Sequence, residues 1–226
     1  MNIVYAVTHD YYQKLIPSIR SLLEHNPKAN IYVLAEDDEI DIPFKVTVIN
    51  VKDQPYFPPN GVNYKNNFSY INLLKVCYCD ILKCNKVIHL DADTIICDSL
   101  EPMWKTDMTG KWVAAVQEYR GHYLPFGPIY YNMGVALINL QQMRKDNIME
   151  DMVAYLNMVK QPFADQDAWN KYGLEQDKFV PLDVRYNENF ACGITEHPAI
   201  VHYCGITQWW NNKGMFRWQY LDKYSQ

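Results

Sequence analysis

The 226-residue sequence lacks the features that would assign it to a membrane or to an oxidising compartment. No run approaches the roughly 18–20 apolar residues that a membrane-spanning helix needs. The N-terminus has no charged segment ahead of its apolar residues, so we expect no signal peptide. The six cysteines include no Cys-x-x-Cys pair, which favours free thiols over a disulfide framework. Together these absences predict a cytoplasmic protein without a transmembrane segment.

The sequence also lacks the excess of basic residues that a nucleic-acid surface requires. Lys and Arg number 21 against 26 Asp and Glu, and the formal net charge is −5. We therefore expect no nucleic-acid partner. Aromatic residues are plentiful, with 18 Tyr, 8 Phe and 6 Trp, and such rings fill cores or stack on sugars and bases. The aromatic C-terminal tail, 205–226, predicts either packing on the domain or weak peripheral contact with a membrane surface.

The order of the apolar segments predicts an α/β fold. Residues 2–7, 31–35 and 46–51 have the pattern of buried strands, and 11–25 has apolar residues at helical spacing. This β-α-β order favours a largely parallel sheet. Further strands are predicted at 112–117 and 134–140, and further helices at 68–82, 147–160 and 165–172. Because the length suits one core and no linker is visible, we predict one domain over residues 1–226.

Two aspartates follow the most informative predicted strand. Residues 87–93 read Val-Ile-His-Leu-Asp-Ala-Asp, an apolar run that ends in Asp91 and Asp93. Ligands of open α/β sheets bind at the C-terminal ends of the strands, and alternate residues of a continuing strand point the same way. Two convergent carboxylates suit Mg²⁺ or Mn²⁺, and such an ion suits a diphosphate. The alternative is a strand followed by a solvated acidic turn.

Four other segments place polar side chains or glycines next to predicted elements, and each alone has a structural explanation. They are Ala6–Tyr11 (helix capping by Thr8 or Asp10), Tyr130–Gly134 (an Asn-x-Gly turn), Asp165–Asp167 with Asn170 (a helix N-terminus) and Val201–Gly205 (a structural histidine).

Taken in order, these segments resemble glycosyltransferase family 8, whose members are retaining enzymes that use a nucleotide-sugar donor, usually a UDP-sugar. The resemblance extends from Asn2 to about Trp210 and rests on the runs NIVYAVT, NKVIHLDADT, YNMGVALINL, ADQDAWN and HYCG. It implies a single GT-A (Rossmann-like) domain with a mixed, mostly parallel central sheet flanked by helices. It also implies Mn²⁺-dependent transfer of a hexose from a UDP-sugar to an acceptor hydroxyl. The acceptor could be a glycan, a lipid-linked saccharide or a protein.

The resemblance implies roles for individual residues. Mn²⁺ (or Mg²⁺) would be bound by Asp91, Asp93 and His202. The donor would contact Ala6, Thr8, Asp10, Tyr11, Lys75, Asp91, Ala92, Asp93, Asn132, Gly134, Gly205 and Gln208, with Glu118 near sugar or acceptor. Asp165 and Gln166 would lie beside the anomeric carbon. Retention then needs either Asp165 as a nucleophile or attack by the acceptor on the leaving-group face, with both residues stabilising charge.

One position departs from the family pattern. Members commonly have a lysine that contacts the diphosphate where this chain has Gln208, and a glutamine offers a hydrogen bond without the charge. Lys213 and Arg217 are candidates to supply that charge. The departure keeps open a catalytically impaired nucleotide-sugar-binding or glycan-binding protein of the same fold. A less favoured alternative is a haloacid-dehalogenase-like phosphatase, which shares a strand that ends in Asp-x-Asp-Thr but has it near the N-terminus.

Overall fold

The computed structural model describes residues 1–65, 68–119, 127–210 and 216–225. The strands are β1 (Asn2–Ala6), β2 (Asn30–Ala35), β3 (Thr47–Asn50), β4 (Val87–Leu90), β5 (Thr94–Ile96), β6 (Val113–Gln117), β7 (Tyr131–Ile138), β8 (Phe179–Pro181) and β9 (Ile200–His202). The α-helices are α1 (Leu15–His25), α2 (Tyr70–Leu73), α3 (Tyr78–Ile81), α4 (Glu101–Trp104), α5 (Leu140–Asp146), α6 (Ile148–Met158), α7 (Asp165–Glu175) and α8 (Trp218–Asp222). Single 3₁₀ turns occupy His9–Tyr11, Leu74–Cys77, Val184–Tyr186 and Gly205–Thr207.

Seven strands form one mixed sheet in the order β3-β2-β1-β4-β7-β6-β8. The pairs β2–β3, β1–β2, β1–β4 and β6–β8 are parallel, whereas β7 runs antiparallel to β4 and β6. The predicted mixed, mostly parallel α/β sheet is therefore confirmed. Strands β5 and β9 pair antiparallel in a separate small sheet.

Both faces of the large sheet are buried under helices. Alternate residues of β1 show this directly, because Ile3 and Tyr5 pack with α1 while Val4 packs in the opposite layer with Tyr78 of α3. Every residue of β4 and β7 is buried. A strand covered on both faces has a continuous apolar run without alternation, which is why β4 and β7 are visible in the sequence.

Two predicted elements differ from the structure, and one helix was not predicted. The helix predicted at 68–82 is two short α-helices, α2 and α3, joined by the 3₁₀ turn that carries the buried Lys75. The strand predicted at 134–140 begins earlier, at Tyr131, and ends at Ile138. Helix α5, which the sequence analysis did not predict, follows at once because the Asn139 side chain accepts a hydrogen bond from Gln142 N and caps it.

The described part of the C-terminal tail packs against the small sheet. Trp209, Phe216 and Tyr224 are buried with Val201 and Tyr203. Packing, the first of the two predictions for the tail, is thus confirmed for these residues, although Trp218 is 56% exposed. The longest described helices have 11 residues, far short of the span of a bilayer. All six cysteines are free thiols, as predicted.

Candidate active site

Strand β4 ends at Leu90, and residues 91–93 form a turn before β5. The condition for strand alternation, that the strand continue through Asp93, is therefore not met. The hydroxyl of Thr94 closes the turn by donating to Asp91 O (2.8 Å), and it also bonds Ser18 of α1 (3.0 Å). The turn, rather than strand alternation, brings the Asp91 and Asp93 carboxylates together.

His202 joins these two carboxylates from the neighbouring small sheet. It is the last residue of β9 and pairs in register with Thr94 of β5. Its Nε2 lies 3.2 Å from Asp93 Oδ1 and 3.8 Å from Asp91 Oδ2. One ligand atom from each residue lies within 4.8 Å of the other two. Among the described residues this is the one cluster with the donors and spacing of a metal site, and its two carboxylates and imidazole suit Mn²⁺ or Mg²⁺.

Asp91 is held so that only one of its oxygens faces the cluster. Oδ1 accepts hydrogen bonds from His89 Nε2 (2.8 Å) and Lys75 Nζ (3.0 Å). Burial acts to raise the pKa of Asp91, but Lys75 and His89 hold it well below its usual range. Burial, helped by Lys75, lowers the pKa of His89 to about 4, so His89 is neutral near pH 7. Its Nδ1 then accepts from Tyr78 OH (3.0 Å).

Hydrogen bonds from neighbouring side chains also hold Asp93 and His202 in place. Gln208 Nε2 donates to Asp93 Oδ2 (3.2 Å), which leaves Oδ1 facing His202. His202 Nδ1 bonds Asn187 Oδ1 (2.8 Å), while its buried Nε2 has no hydrogen bond of acceptable geometry. Burial acts to lower the pKa of His202, but Asp93 and Asp91 raise it overall. Each of the three residues thus presents one atom to a common point, an arrangement that fits a divalent cation.

Gly134 lies directly against this cluster. Its carbonyl accepts from Asp91 N (2.7 Å), which carries the β4–β7 ladder past the end of β4. Opposite β6, the register of β7 jumps from Ala136 to Asn132, so a bulge contains Gly134. Bulges re-aim side chains beside active sites. The donor contact expected at Gly134 stays a prediction; on the side where a Cβ would stand, Gly134 faces the imidazole of His202 and the carboxylate of Asp91.

A cavity of about 410 Å³ opens on one side of the cluster. Its predicted lining residues are Ala6, Thr8, Tyr11, Asp91, Ala92, Asp93, His202, Gly205 and Gln208. Asp10 is exposed and is not among the residues that line it. Lys14 Nζ lies 3.8 Å from the centroid of the Tyr11 ring, and the ring of Trp210 lies nearly perpendicular to it with the two centroids 5.4 Å apart. Sequence reasoning did not find Phe68, Ser69, Ile71 and Asn72 here, because they belong to a loop and a short helix with no motif of their own.

A second cavity of about 290 Å³ adjoins the first. Its predicted lining residues are Lys75, Asp91, Glu118, Asn132, Gly134, Asp165, Gln166, His202 and Gly205. Three of these, Asp91, His202 and Gly205, also line the first cavity. The metal-type cluster therefore lies at the junction of the two cavities.

Asp165 and Gln166 begin helix α7 at the floor of the second cavity. Asp165 is buried, its Oδ2 has no hydrogen-bond partner, and Lys75 Nζ lies 3.8 Å away. Burial raises the pKa of Asp165 to about 7, and Lys75 only partly opposes that shift. Gln166 Oε1 accepts from Met133 N in the β7 bulge (2.9 Å). The helix-capping alternative does not apply to Asp165, because the N-cap residue of α7 is Ala164; Asp167 Oδ2 accepts from Phe163 N (2.8 Å), which precedes the helix.

The backbone just before Asp165 is strained. Ala164 is buried and has φ 53° and ψ −125°, a conformation that favours glycine. Such strain persists only where the surroundings hold it, and it clusters at functional sites.

Two residues that hold the cluster, His89 and Asn187, were missed by sequence reasoning. His89 sits inside the apolar run of β4, where a histidine has the pattern of a core residue. Asn187 lies in an irregular segment between β8 and β9, far in sequence from Asp91. Two residues were expected to supply the positive charge that is absent at Gln208. Arg217 Nε bonds Glu188 Oε1 (2.6 Å) and is committed to that ion pair, and Lys213 lies outside the described residues.

Comparison with known proteins adds an independent observation. Residues 2–214 match the family model of glycosyl transferase family 8. Among curated relatives, a Haemophilus influenzae protein with a provisional glycosyltransferase name is 27% identical over 94% of this chain and 74% of its own length. The Streptococcus pneumoniae glycosyltransferase GlyA is 26% identical over 93% of this chain. This chain spans only 32% of GlyA.

Solved structures share the fold. An active-site mutant of LgtC superposes with a TM-score of 0.76 at 21% identity, covering 100% of this chain and 95% of LgtC. The galactosyltransferase LgtC in complex with donor and acceptor sugar analogues gives a TM-score of 0.74 at 22% identity over 100% of this chain and 94% of its own. These similarities establish the GT-A-like fold of the chain.

Proposed function

Because the chain belongs to glycosyl transferase family 8, we propose that it is a retaining glycosyltransferase that moves a hexose from a UDP-sugar to an acceptor hydroxyl. We further propose that it uses Mn²⁺ or Mg²⁺. The observation that carries the proposal is the position of Asp91, Asp93 and His202 where two adjoining cavities meet. Membership of this family argues against the haloacid-dehalogenase-like phosphatase.

The two cavities suit the two halves of the donor. The larger one has Tyr11, an aromatic ring on which a base can stack, beside Thr8 and the backbone of Ala6. The lining of the smaller one includes several polar groups, among them Glu118 and Asn132, that suit the hydroxyls of a sugar. A diphosphate between them would lie against the metal-type cluster.

The cluster residues would hold the ion by Asp91 Oδ2, Asp93 Oδ1 and His202 Nε2. A divalent cation bound there supplies a Lewis acid that neutralises charge on the leaving diphosphate. Lys75 contributes a buried positive charge that lies between Asp91 and Asp165, with its Nζ 3.0 Å and 3.8 Å from their carboxylate oxygens. It therefore keeps two neighbouring carboxylates compatible in one small volume.

Asp165 and Gln166 would act on the reacting sugar. Departure of UDP leaves positive charge at the anomeric carbon, and an ionised Asp165 in the smaller cavity can stabilise that charge or form a covalent bond with the carbon. In the second route the acceptor attacks on the leaving-group face without a covalent intermediate. Gln166 is fixed by its bond to Met133 N, and its amide group can stabilise the charge that develops in this route. Mass spectrometry of a reaction without acceptor distinguishes the two routes, because only the covalent route leaves a glycosyl group on Asp165.

The direct test is release of UDP from a panel of UDP-sugars, with Mn²⁺ or with EDTA. Acceptors should be drawn from glycans, lipid-linked saccharides and proteins. We expect release from one donor, a larger rate with the right acceptor, and loss of both in EDTA. Equal release in EDTA would contradict the metal assignment, and failure to bind UDP would contradict the UDP-sugar assignment.

A second candidate function is favoured by Gln208. Where the family commonly has a cation, this chain has a neutral side chain that contacts Asp93. A protein that binds nucleotide sugar without turning it over would show tight UDP binding and no release with any donor and acceptor pair. Release of UDP from any donor in the same panel would exclude this second candidate.

A further inference from the structure

A series of hydrogen bonds between buried side chains links His202 to Glu118. His202 Nδ1 bonds Asn187 Oδ1 (2.8 Å), and Asn187 Nδ2 donates to Asn132 Oδ1 (2.8 Å). Asn132 Nδ2 in turn donates to Glu118 Oε1 (2.6 Å). All four side chains are at least 92% buried, so water does not compete for these bonds.

The direction of every bond in this series follows from two groups with fixed chemistry. The backbone N–H of Gly134 can only donate, and it donates to Asn132 Oδ1 (2.9 Å). The carboxylate of Glu118 accepts. The oxygen of Asn132 must therefore face Gly134 and Asn187, and its amide nitrogen must face Glu118. Because Asn132 Oδ1 can only accept, Asn187 must present its amide nitrogen to Asn132. The oxygen of Asn187 therefore faces His202.

We infer that Asn187 is a positioning residue that holds His202 in the tautomer protonated at Nδ1, so that the Nε2 lone pair faces Asp91 and Asp93. An acceptor opposite Nδ1 can be satisfied only by an N–H there. A histidine ligates a metal through its unprotonated nitrogen, and the partner of the other nitrogen sets which one that is. The inference rests on the proposed metal-dependent function.

The first test measures the affinity of the protein for Mn²⁺ alone, from the electron paramagnetic resonance signal of the free ion. Asn187→Leu removes the acceptor and fills a similar volume. We expect its Mn²⁺ affinity to fall by about 10–100-fold, the usual effect of losing such a partner. A folded Asn187→Leu variant with wild-type Mn²⁺ affinity would overturn the inference.

A matched control is Asn63→Leu. Asn63 is also a buried amide with three hydrogen bonds, to Leu156 O (2.6 Å), Val159 O (2.8 Å) and Gln161 N (2.8 Å), but it lines neither cavity. Asn63→Leu is expected to lose stability and to keep its Mn²⁺ affinity. A loss of affinity as large as that of Asn187→Leu would show that the effect is general destabilisation.

The second test reads the tautomer of the wild-type protein directly. Nitrogen-15 spectra of the imidazole rings, recorded without metal at alkaline pH and assigned with His202→Gln, should show His202 protonated at Nδ1. Protonation at Nε2 would overturn the inference even if Asn187→Leu fails to fold. A wild-type protein that binds no Mn²⁺ but shows the expected tautomer would contradict the proposed metal dependence and leave the role of Asn187 intact.

Discussion

A Cβ atom on Gly134 would lie 2.2 Å from Cε1 of His202, a distance shorter than any real contact of that kind. The same atom would lie 2.7 Å from Asp91 Oδ2. The absence of a side chain at this position in the β7 bulge therefore lets two of the three proposed metal ligands converge. Only glycine fits there without displacing one of them.

Replacing Gly134 by alanine should therefore disrupt the cluster. His202 or Asp91 must move away from the new methyl group, so we expect Mn²⁺ affinity to fall at least tenfold. We also expect the free energy of unfolding to fall by about 1–3 kcal/mol, the usual cost of overpacking a buried site. Mn²⁺ titration and urea unfolding measure the two effects.

Gly173→Ala is the matched control. Its Cβ would lie 2.5 Å from Cε2 of Phe179, at a position in α7 that lines neither cavity. It should lose stability through the same kind of contact and keep Mn²⁺ affinity. If Gly134→Ala also keeps that affinity, Gly134 has no special relation to a metal site.

Asp93→Ala should abolish metal-dependent release of UDP and leave the fold intact. Asp93 accepts a hydrogen bond from Gln208 (3.2 Å) and lies 3.2 Å from His202 Nε2 without a well-formed bond to it. Asp91→Ala should be equally inactive but less stable, because the buried Lys75 loses its 3.0 Å partner and keeps the longer ion pair with Asp165 (3.8 Å) and a 3.4 Å bond to Met133 O. Initial rates with and without EDTA, combined with urea unfolding, separate these effects. Full activity in either variant would rule out its role as a ligand.

Local patterns were enough to predict the strands that position the site. The strands from β1 to β4 are short apolar runs, so periodicity and order predict a parallel sheet with its ligands at the C-terminal edge. Asp91 at the end of β4 follows from the same reasoning. The position of Asp93 beside Asp91 does not follow from it. That position depends on a turn closed by Thr94, whose hydroxyl is also hydrogen-bonded to Ser18, 76 residues away in the sequence.

The rest of the site depends on contacts that no local pattern encodes. His202 came from resemblance to a family, since a single histidine after an apolar strand has no metal-specific spacing. Asn187 contacts His202 across an irregular segment, and His89 is indistinguishable in sequence from a core residue. The β7 bulge is set by the partner strands β4 and β6, and so the proximity of Gly134 to His202 could not be read from the chain.

Asp165 predicts a pH dependence of stability in the metal-free protein. Its folded-state pKa is raised to about 7 by burial, above the ordinary value near 4. The native state therefore binds more protons than the unfolded state between these values. The contribution of Asp165 to the free energy of unfolding is fully present below about pH 4. It is lost as pH rises through about 7, by up to about 1.4 kcal/mol per pH unit.

Asp165→Asn removes this dependence. We expect the difference in unfolding free energy between Asp165→Asn and wild type to grow in favour of the variant from pH 5 to pH 8, measured by urea unfolding in EDTA. Asp53→Asn, at an exposed position, should show no such trend. A pH-independent difference at position 165 would show that burial does not raise this pKa. UDP release by Asp165→Asn should be lost at every pH.

Gln208 offers the sharpest test of how this chain departs from its family, because a lysine there should have opposite effects on two ligands. Gln208 Nε2 touches Asp93 Oδ2 (3.2 Å), so a cation at this position lies beside a proposed metal ligand. Without nucleotide, Gln208→Lys should weaken Mn²⁺ binding through repulsion. With saturating Mn²⁺, it should tighten UDP binding by up to about tenfold, because a charge-assisted bond to phosphate is about twice as strong as a neutral one.

Gln208→Leu separates the loss of the hydrogen bond from the gain of charge. It should weaken both Mn²⁺ and UDP binding, measured by calorimetry on the same samples. If Gln208→Lys weakens UDP binding as much as Gln208→Leu does, residue 208 does not reach the diphosphate and acts only on Asp93. If Gln208→Lys instead turns over a UDP-sugar that the wild type binds without release, the neutral side chain is what impairs catalysis, and the native protein is a nucleotide-sugar-binding member of its family.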